Sequence, residues 1–572
     1  MKESLSEALS VTATGTDAPT RRQRWLAPVG LMAVVFAINF AAMPATWWAG
    51  DPSAWREETR SLLRDGVLHV DAQFAERTGD RGQYFVFNPR TGRWYSKYGL
   101  MNSLMALPPT ALEAVINGRI PRVGEQSDLL IFNLYYILLS LLVAGLLYRI
   151  TGWYTHRVWV RVAYVLCSGY ATFFWYYQRA QGGEIYQVLF FAAAFHFLMV
   201  YLRGLVNTEG HPSTKHLRAL VSAWVFVAAL VLTRVIFGVL IPTVCLAVMY
   251  AVWSLRKPDG WRILRRELVW LLLPSLIIVG AMAWINRIKF GEPWLTGYHQ
   301  WWPHKHAPTG RWQDGLWGLL FDPQGSMLLH FPILIFGLLG IREFWRRYRL
   351  DTVVIFLLPS ALWLFVAKMP IWRGEWAYGP RLAIFMLPVL AMPFVVYLEW
   401  LAARPWGYGR CTMAAVTVAS LLYSTWLQYQ VNRLDFWTMY RVMFTFEGDW
   451  SQEMARYFVE HQMGTLNADL IRHKDDLDDL PYVAELERRG LLRGSDLENY
   501  KEMLRNYIDD ENFYWRWGRR IACRNGRVSN AEIRRRTSWG FTAPARGTSC
   551  AWRNVRSVGP SAGPCVRPLR RY

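Results

Sequence analysis

The segment WWAGDPSAWREE, residues 47–58, places three carboxylates, Asp51, Glu57 and Glu58, directly after a long apolar run that ends in a tryptophan pair. A carboxylate held just outside a bilayer can take a proton from a hydroxyl presented at the membrane surface. If 52–64 is helical, Asp51 and Glu58 share one side of the helix, and Glu57 does so less well. The same residues also suit a plain helix start, with Asp51 as N-cap and the acids favoured by the helix dipole. Spacing alone leaves both readings open.

Three further clusters carry chemistry-bearing side chains. In YYQRAQGGEIYQ, 176–187, Gln178, Arg179 and Gln181 can bind a phosphate or a hydroxyl-rich ligand, and Glu184 opens the next apolar run. In KMPIWRGEWAYGPR, 368–381, Lys368, Arg373 and Arg381 surround Trp372, Trp376 and Tyr378. Guanidinium forks suit phosphate oxygens, and aromatic faces suit sugars and prenyl chains; an aromatic belt with snorkelling cations has the same composition. In HQWWPHKH, 299–306, the spacing of His299, His304 and His306 matches no compact metal motif, and a flap over an outer site is the better reading. Walker, Rossmann, GxSxG and HExxH patterns do not occur, so no cofactor is expected and energy for a synthesis would arrive in an activated substrate.

The elements that must position these groups are membrane spans. Of 572 residues, 53% are hydrophobic and only 19% charged, and several apolar runs reach the roughly 20 residues needed to cross a bilayer. We expect an all-α polytopic membrane protein with about eleven spans, near 28–48, 127–148, 158–177, 184–203, 217–234, 236–254, 267–286, 325–341, 352–368, 380–400 and 409–428. The stretch 217–254 is too long for one span, and Arg234 near its middle marks a turn between two. The net charge of +21 comes from Lys and Arg gathered in short loops, which argues for membrane topology over nucleic-acid binding. RRQR at 21–24 precedes the first span, a retained anchor, and so marks the inside. Every second loop is then basic, with the acids and aromatics on the outer face.

The expected organisation is a cytoplasmic segment 1–27, a transmembrane domain 28–428, a soluble helical region 429–523 and a basic, disordered tail 524–572. The first outer loop, 49–126, carries LMNSLMALPPTALEAV (100–115), read as an interfacial helix interrupted by Pro108 and Pro109; a second outer loop spans 287–324. PYVAELERRGLL (481–492) and DLENYKEMLRNYI (496–508) have helical spacing. Cys167, Cys245 and Cys411 lie in apolar runs and read as small core residues.

In order along the chain, an acid after span 1, GRWYSKYGLMNSLMALP (92–108), NRIKFGEPWLTGY (286–298), GLLFDPQGSMLLHFPILIFGLLG (318–340) and WRGEWAYGPRLAIFMLP (372–388) resemble the GT-C superfamily of polytopic membrane glycosyltransferases. The resemblance is to family 39-like bacterial members, similar to protein O-mannosyltransferases and lipid A aminoarabinose transferases, and covers roughly 30–400. It implies an inverting transfer of a hexose or pentose from a polyprenyl-phosphate carrier to an acceptor hydroxyl on lipid, glycan or protein. The reaction would take place at the outer face of a bacterial inner membrane. Asp51 matches the acid that acts as general base. Many relatives carry a second acid beside it, where this chain has Pro52, so Glu57 and Glu58 stay as candidates. Glu184 matches an acid at the start of the fourth span. The resemblance and the chemistry together nominate Lys97, Tyr98, Gln181, Glu184, Arg373, Glu375, Tyr378 and Arg381 to bind substrate, with Lys97, Arg373 and Arg381 on the carrier phosphate. No metal ligands are expected. A transporter or lipid flippase is the main alternative, and a non-catalytic scaffold of the same fold a third.

Overall fold

The computed structural model describes residues 21–45, 51–78, 84–255, 260–301, 308–323, 325–372, 374, 377–403, 407–434, 463–488, 490 and 494–509. The tail 524–572 and all of 435–462 lie outside them. Helices dominate, and six are long and apolar enough to cross a membrane: Leu129–Thr151, Glu184–Asn207, Thr214–Thr233, Val235–Ser254, Gly260–Phe290 and Arg349–Ala367. That pattern is that of a multi-pass membrane protein. The expected division of 217–254 is seen: Thr214–Thr233 ends at an extended Arg234, and a 3₁₀ turn, Val235–Val239, starts the next helix.

Other expected spans are broken. The run 158–177 forms Val158–Tyr170 and a separate short helix, Phe174–Arg179. The run 325–341 divides into Met327–His330 and Ile333–Arg347, with Pro332 at the junction. The run 380–400 begins as a 3₁₀ turn, Arg381–Ala383, continues as a one-turn helix, Leu387–Leu390, and reaches a longer helix only at Pro393–Ala402. Proline lacks the backbone donor and disfavours helix in the residue before it, so Pro332, Pro388 and Pro393 divide runs whose hydropathy is continuous. The reverse occurs in Leu100–Asn117, which runs straight through Pro108 and Pro109. There Thr110 Oγ1 donates to Ala106 O at 2.7 Å, a side-chain bond beside the backbone donors the prolines lack. This helix leaves Leu112, Val115 and Ile116 exposed on its last turns.

The loop 49–126 is not all helix. It contains a three-stranded antiparallel sheet of order β1–β3–β2, with β1 His69–Val70, β2 Phe85–Asn88 and β3 Arg93–Ser96. The strands β2 and β3 form a hairpin in register Phe85 with Ser96 and Asn88 with Arg93. Gly92 closes its turn at φ 66, a conformation that costs glycine little. Aromatic residues on a half-buried pleat favour strand here, which the helical expectation for the loop overlooked. The hairpin delivers Lys97 and Tyr98 to the site described below.

Two glycines allow this loop to approach the helices closely. A Cβ on Gly99 would lie 2.1 Å from Leu232 O, and one on Gly297 would lie 2.4 Å from Lys97 Cα. Gly99→Ala is therefore expected to force the 97–99 segment away from Thr233 and Arg234, costing about 1–3 kcal/mol by overpacking. A thermal-unfolding measurement in detergent checks this; an unchanged melting temperature would contradict the close approach.

Beyond the last long helix, Tyr408–Arg433, the chain forms Met463–Arg472, Pro481–Arg488 and Ser495–Asp509. Asn467 Nδ2 donates to Gln430 O at 3.1 Å, so Met463–Arg472 packs on the end of Tyr408–Arg433.

Candidate active site

Asp51 opens the helix Asp51–Asp65, with Pro52 next to it, where a missing backbone donor is harmless. One carboxylate oxygen, Oδ1, accepts from the Tyr98 hydroxyl; the other, Oδ2, accepts from Arg381 Nη2 at 2.7 Å. The Arg381 guanidinium also donates through Nε to Glu184 Oε1 at 2.5 Å. The same Glu184 oxygen is 3.1 Å from Arg234 Nη2. Asp51, Tyr98, Glu184, Arg234 and Arg381 thus form one network drawn from five separate segments. Asp51 is its most accessible carboxylate, with a side chain 25% exposed against 0% for Glu184. Glu184 Oε2 is buried and has no hydrogen-bond partner among the described residues.

Lys97 adds a cation beside this network. Its Nζ lies over the rings of Tyr98, Tyr298 and Tyr84 at 5.1, 5.6 and 5.8 Å, within cation–π range. A narrow cavity of about 40 Å³ opens here, lined by Lys97, Arg234, Asn286, Thr296 and Tyr298 on its polar side and by Leu100, Val231, Met282 and Phe290 on its apolar side. At this size it has room for little more than a water molecule, with Lys97 and Arg234 as its two charged lining groups.

Burial pushes the Asp51 carboxyl up, but Arg381, Lys97 and the Tyr98 hydrogen bond outweigh it and hold the group down at about 2. Burial and the neighbouring Asp51 charge push the Tyr98 phenol well above its ordinary value, so it stays a donor. Burial raises Tyr298 to about 12. Asp51 is therefore ionised at any ordinary pH, and as long as Arg381 holds it the carboxylate is a weak proton acceptor.

The other two acids of the opening segment are engaged elsewhere. Glu58 is buried; its Oε2 accepts from Ser103 Oγ at 2.5 Å and its Oε1 lies 2.7 Å from Lys289 Nζ. Lys289 in turn donates to Tyr98 O at 2.8 Å. Glu57 accepts from Arg60 Nη1 at 2.5 Å and from Gly124 N at 3.3 Å. Burial raises both carboxyls, with Lys289 and Arg60 respectively offsetting part of the effect.

Several nominated binding residues build the frame. Gln181 sits at φ 54, strained for a side-chain-bearing residue, with its Nε2 donating to Asn133 Oδ1 at 2.6 Å and its carbonyl accepting from the Tyr136 hydroxyl at 2.6 Å. This turn sets the start of the Glu184 helix. Gln178 Nε2 donates to Gly169 O, and Arg179 donates to Ala42 O and Asn432 O. Tyr378 is buried and donates to Gln428 Oε1 at 3.0 Å. Arg373, Glu375, His304 and His306 lie outside the described residues. Among the described residues there is no cluster of His, Cys, Asp or Glu that could hold a metal ion.

Arg234, Tyr298 and Lys289 were not nominated from sequence. A lone arginine inside a long apolar run is a recognised sign of function in membrane proteins, so Arg234 carried a usable signal beyond marking a turn. Nothing in their local sequence singles out Tyr298 or Lys289.

No family model and no curated protein matches the chain. Among solved structures, it is similar to the archaeal oligosaccharyltransferase AglB from Archaeoglobus fulgidus in complex with an inhibitory peptide and a dolichol-phosphate. That match has a TM-score of 0.46 and 11% identity, and covers 82% of this chain and 60% of that one. The apo form of the A. fulgidus oligosaccharyltransferase gives 0.44 and 11%, over 76% and 59%. Apo ArnT from Cupriavidus metallidurans gives 0.42 and 15%, over 86% and 76%. The chain spans about 60% of the length of the oligosaccharyltransferase.

Proposed function

We propose that the chain is an inverting glycosyltransferase. It moves a hexose or pentose from a polyprenyl-phosphate-linked donor to an acceptor hydroxyl of a lipid, glycan or protein. The observation that carries this reading is the partly exposed Asp51 carboxylate sharing the Arg381 guanidinium with Glu184, beside Arg234 and Lys97. Transfer needs one base and several cations. The acceptor O–H gives its proton to Asp51 as its oxygen attacks the anomeric carbon from the face opposite the phosphate. The bond from that carbon to the phosphate oxygen breaks, and the polyprenyl phosphate leaves with the bonding electrons. Arg381, Arg234 and Lys97 are the groups available to stabilise the departing charge. As negative charge grows on the phosphate it competes for Arg381, and Asp51 becomes a stronger base as that hold loosens.

The reading includes about eleven membrane crossings, the N-terminal end inside and the Asp51 network facing outside, in a bacterial inner membrane. It also includes a donor phosphate held in part by the segment containing Arg373. A cysteine-labelling scan in intact cells is expected to reach position 304 from outside and position 260 only after permeabilisation; the opposite pattern overturns this orientation.

The activity is tested by reconstituting the protein in vesicles with a polyprenyl-phosphate-linked sugar, and by mass spectrometry of lipid-linked sugars and envelope glycans from cells with and without it. Loss of the protein is expected to leave a lipid-linked sugar unspent and one glycan modification missing. Unchanged profiles together with no transfer in vesicles would remove the glycosyltransferase reading.

A further inference from the structure

An open groove of about 600 Å³ lies between the helices Ile333–Arg347 and Arg349–Ala367. It is lined by the apolar side chains of Ile341, Trp345, Val353, Phe356 and Leu357, together with Arg342, Thr352 and Ser360. None of the residues lining the groove belongs to the Asp51 network.

The cations around the groove are unequal. Arg346 and Arg347 share Glu343 at 3.1 and 2.7 Å, and Arg347 also reaches Glu399 at 3.5 Å. Asp351, the acid nearest the rim in sequence, is buried and taken by Arg203. Arg342 and Arg349 are exposed and have no carboxylate partner among the described residues. An apolar trough with one uncompensated guanidinium, that of Arg342, in its lining matches one class of molecule, an amphiphile with an acyl chain and an anionic head.

We propose that this groove is a binding site for an anionic phospholipid, with an acyl chain along Phe356 and Leu357 and the headgroup phosphate on Arg342. The lipid fills the gap between two helices that otherwise present an unpacked apolar seam. It packs against the helix that leads to the Arg381 segment. The site is separate from the donor site and stands whether or not the chain transfers sugar.

The test uses the full chain in phosphatidylcholine nanodiscs doped with phosphatidylglycerol carrying a photoactivatable acyl chain, followed by digestion and mass spectrometry. Labelling is expected on the 341–360 segment. Excess unlabelled phosphatidylglycerol should suppress it, and excess phosphatidylcholine should not. Arg342→Gln, an exposed change that breaks no ion pair, is expected to lower the labelling about fivefold, the factor equivalent to roughly 1 kcal/mol per basic residue. Equal labelling by a phosphatidylcholine probe, or full labelling in Arg342→Gln, would mean an unspecific lipid face and overturn the site. Absence of lipid labelling together with a disulfide between two Phe356→Cys chains would assign the groove to a second copy instead.

Discussion

Asp51→Asn is expected to lower sugar transfer by about 10²–10⁴-fold, the usual contribution of a general base, with the protein folded and inserted as before. The amide has the size of the carboxylate and still accepts from Tyr98, so the helix start and the hairpin stay in contact. What disappears is the negative charge that shares Arg381 with Glu184. Affinity for polyprenyl phosphate should therefore hold or rise while turnover collapses, because one competitor for the guanidinium is gone. A binding assay with polyprenyl phosphate beside a turnover assay reads both halves. Full transfer in the variant would move the base to Glu57, Glu58 or Glu184.

The depressed Asp51 value sets the pH dependence. A carboxyl lowered from its ordinary value to about 2 in the folded protein contributes stability that is fully present above the unfolded value, about 3.9, and is lost as pH falls through about 2. No acid limb from Asp51 is expected in kcat/KM above about pH 4. A limb near pH 6 that vanishes in Asp51→Asn would contradict the Arg381 ion pair in the free enzyme.

Lys289→Met is expected to be the most damaging single change outside the network itself. The Glu58–Lys289 pair is almost wholly removed from solvent, with side chains 0% and 1% exposed. Removing one partner strands a buried charge and costs about 3–5 kcal/mol, whereas replacing both by apolar groups of similar volume is often close to neutral. Glu58→Leu with Lys289→Met should therefore recover most of the stability lost in Lys289→Met. The pair also decides the role of Glu58. As a partner for Lys289, which donates to the Tyr98 carbonyl, Glu58 can be replaced with transfer kept within about tenfold, the two sites being coupled by contact. If Glu58 were the base, the double variant would be stable and inactive. Thermal unfolding and transfer rate, measured on both variants, separate the outcomes.

Much of the architecture was legible in the chain. Long apolar runs, the charges that punctuate them and the split at Arg234 follow from the length of a hydrocarbon core and the cost of charge inside it, both local properties. The helices at 481–488 and 495–509 follow from periodicity alone. Breaks within the runs at 158–179, 325–347 and 380–402 were less visible, because hydropathy averages over the prolines and turns that interrupt a helix.

For the site, sequence spacing placed Asp51 and Glu58 on one side of a helix, and they are two turns apart, about 10 Å along the axis. It could not say how deep each sits. Asp51 lies at the helix start against Tyr98 and Arg381, while Glu58, two turns on, is pressed against Ser103 and Lys289. The chain by itself determined that an acid follows the first apolar run and that cations and aromatics recur at later helix ends. Only the tertiary structure decided that Arg381 joins Asp51 to Glu184 with Arg234 alongside. Those contacts link positions 50 to 330 residues apart, and packing between helices, which leaves no periodic mark in the sequence, brings them within hydrogen-bond reach.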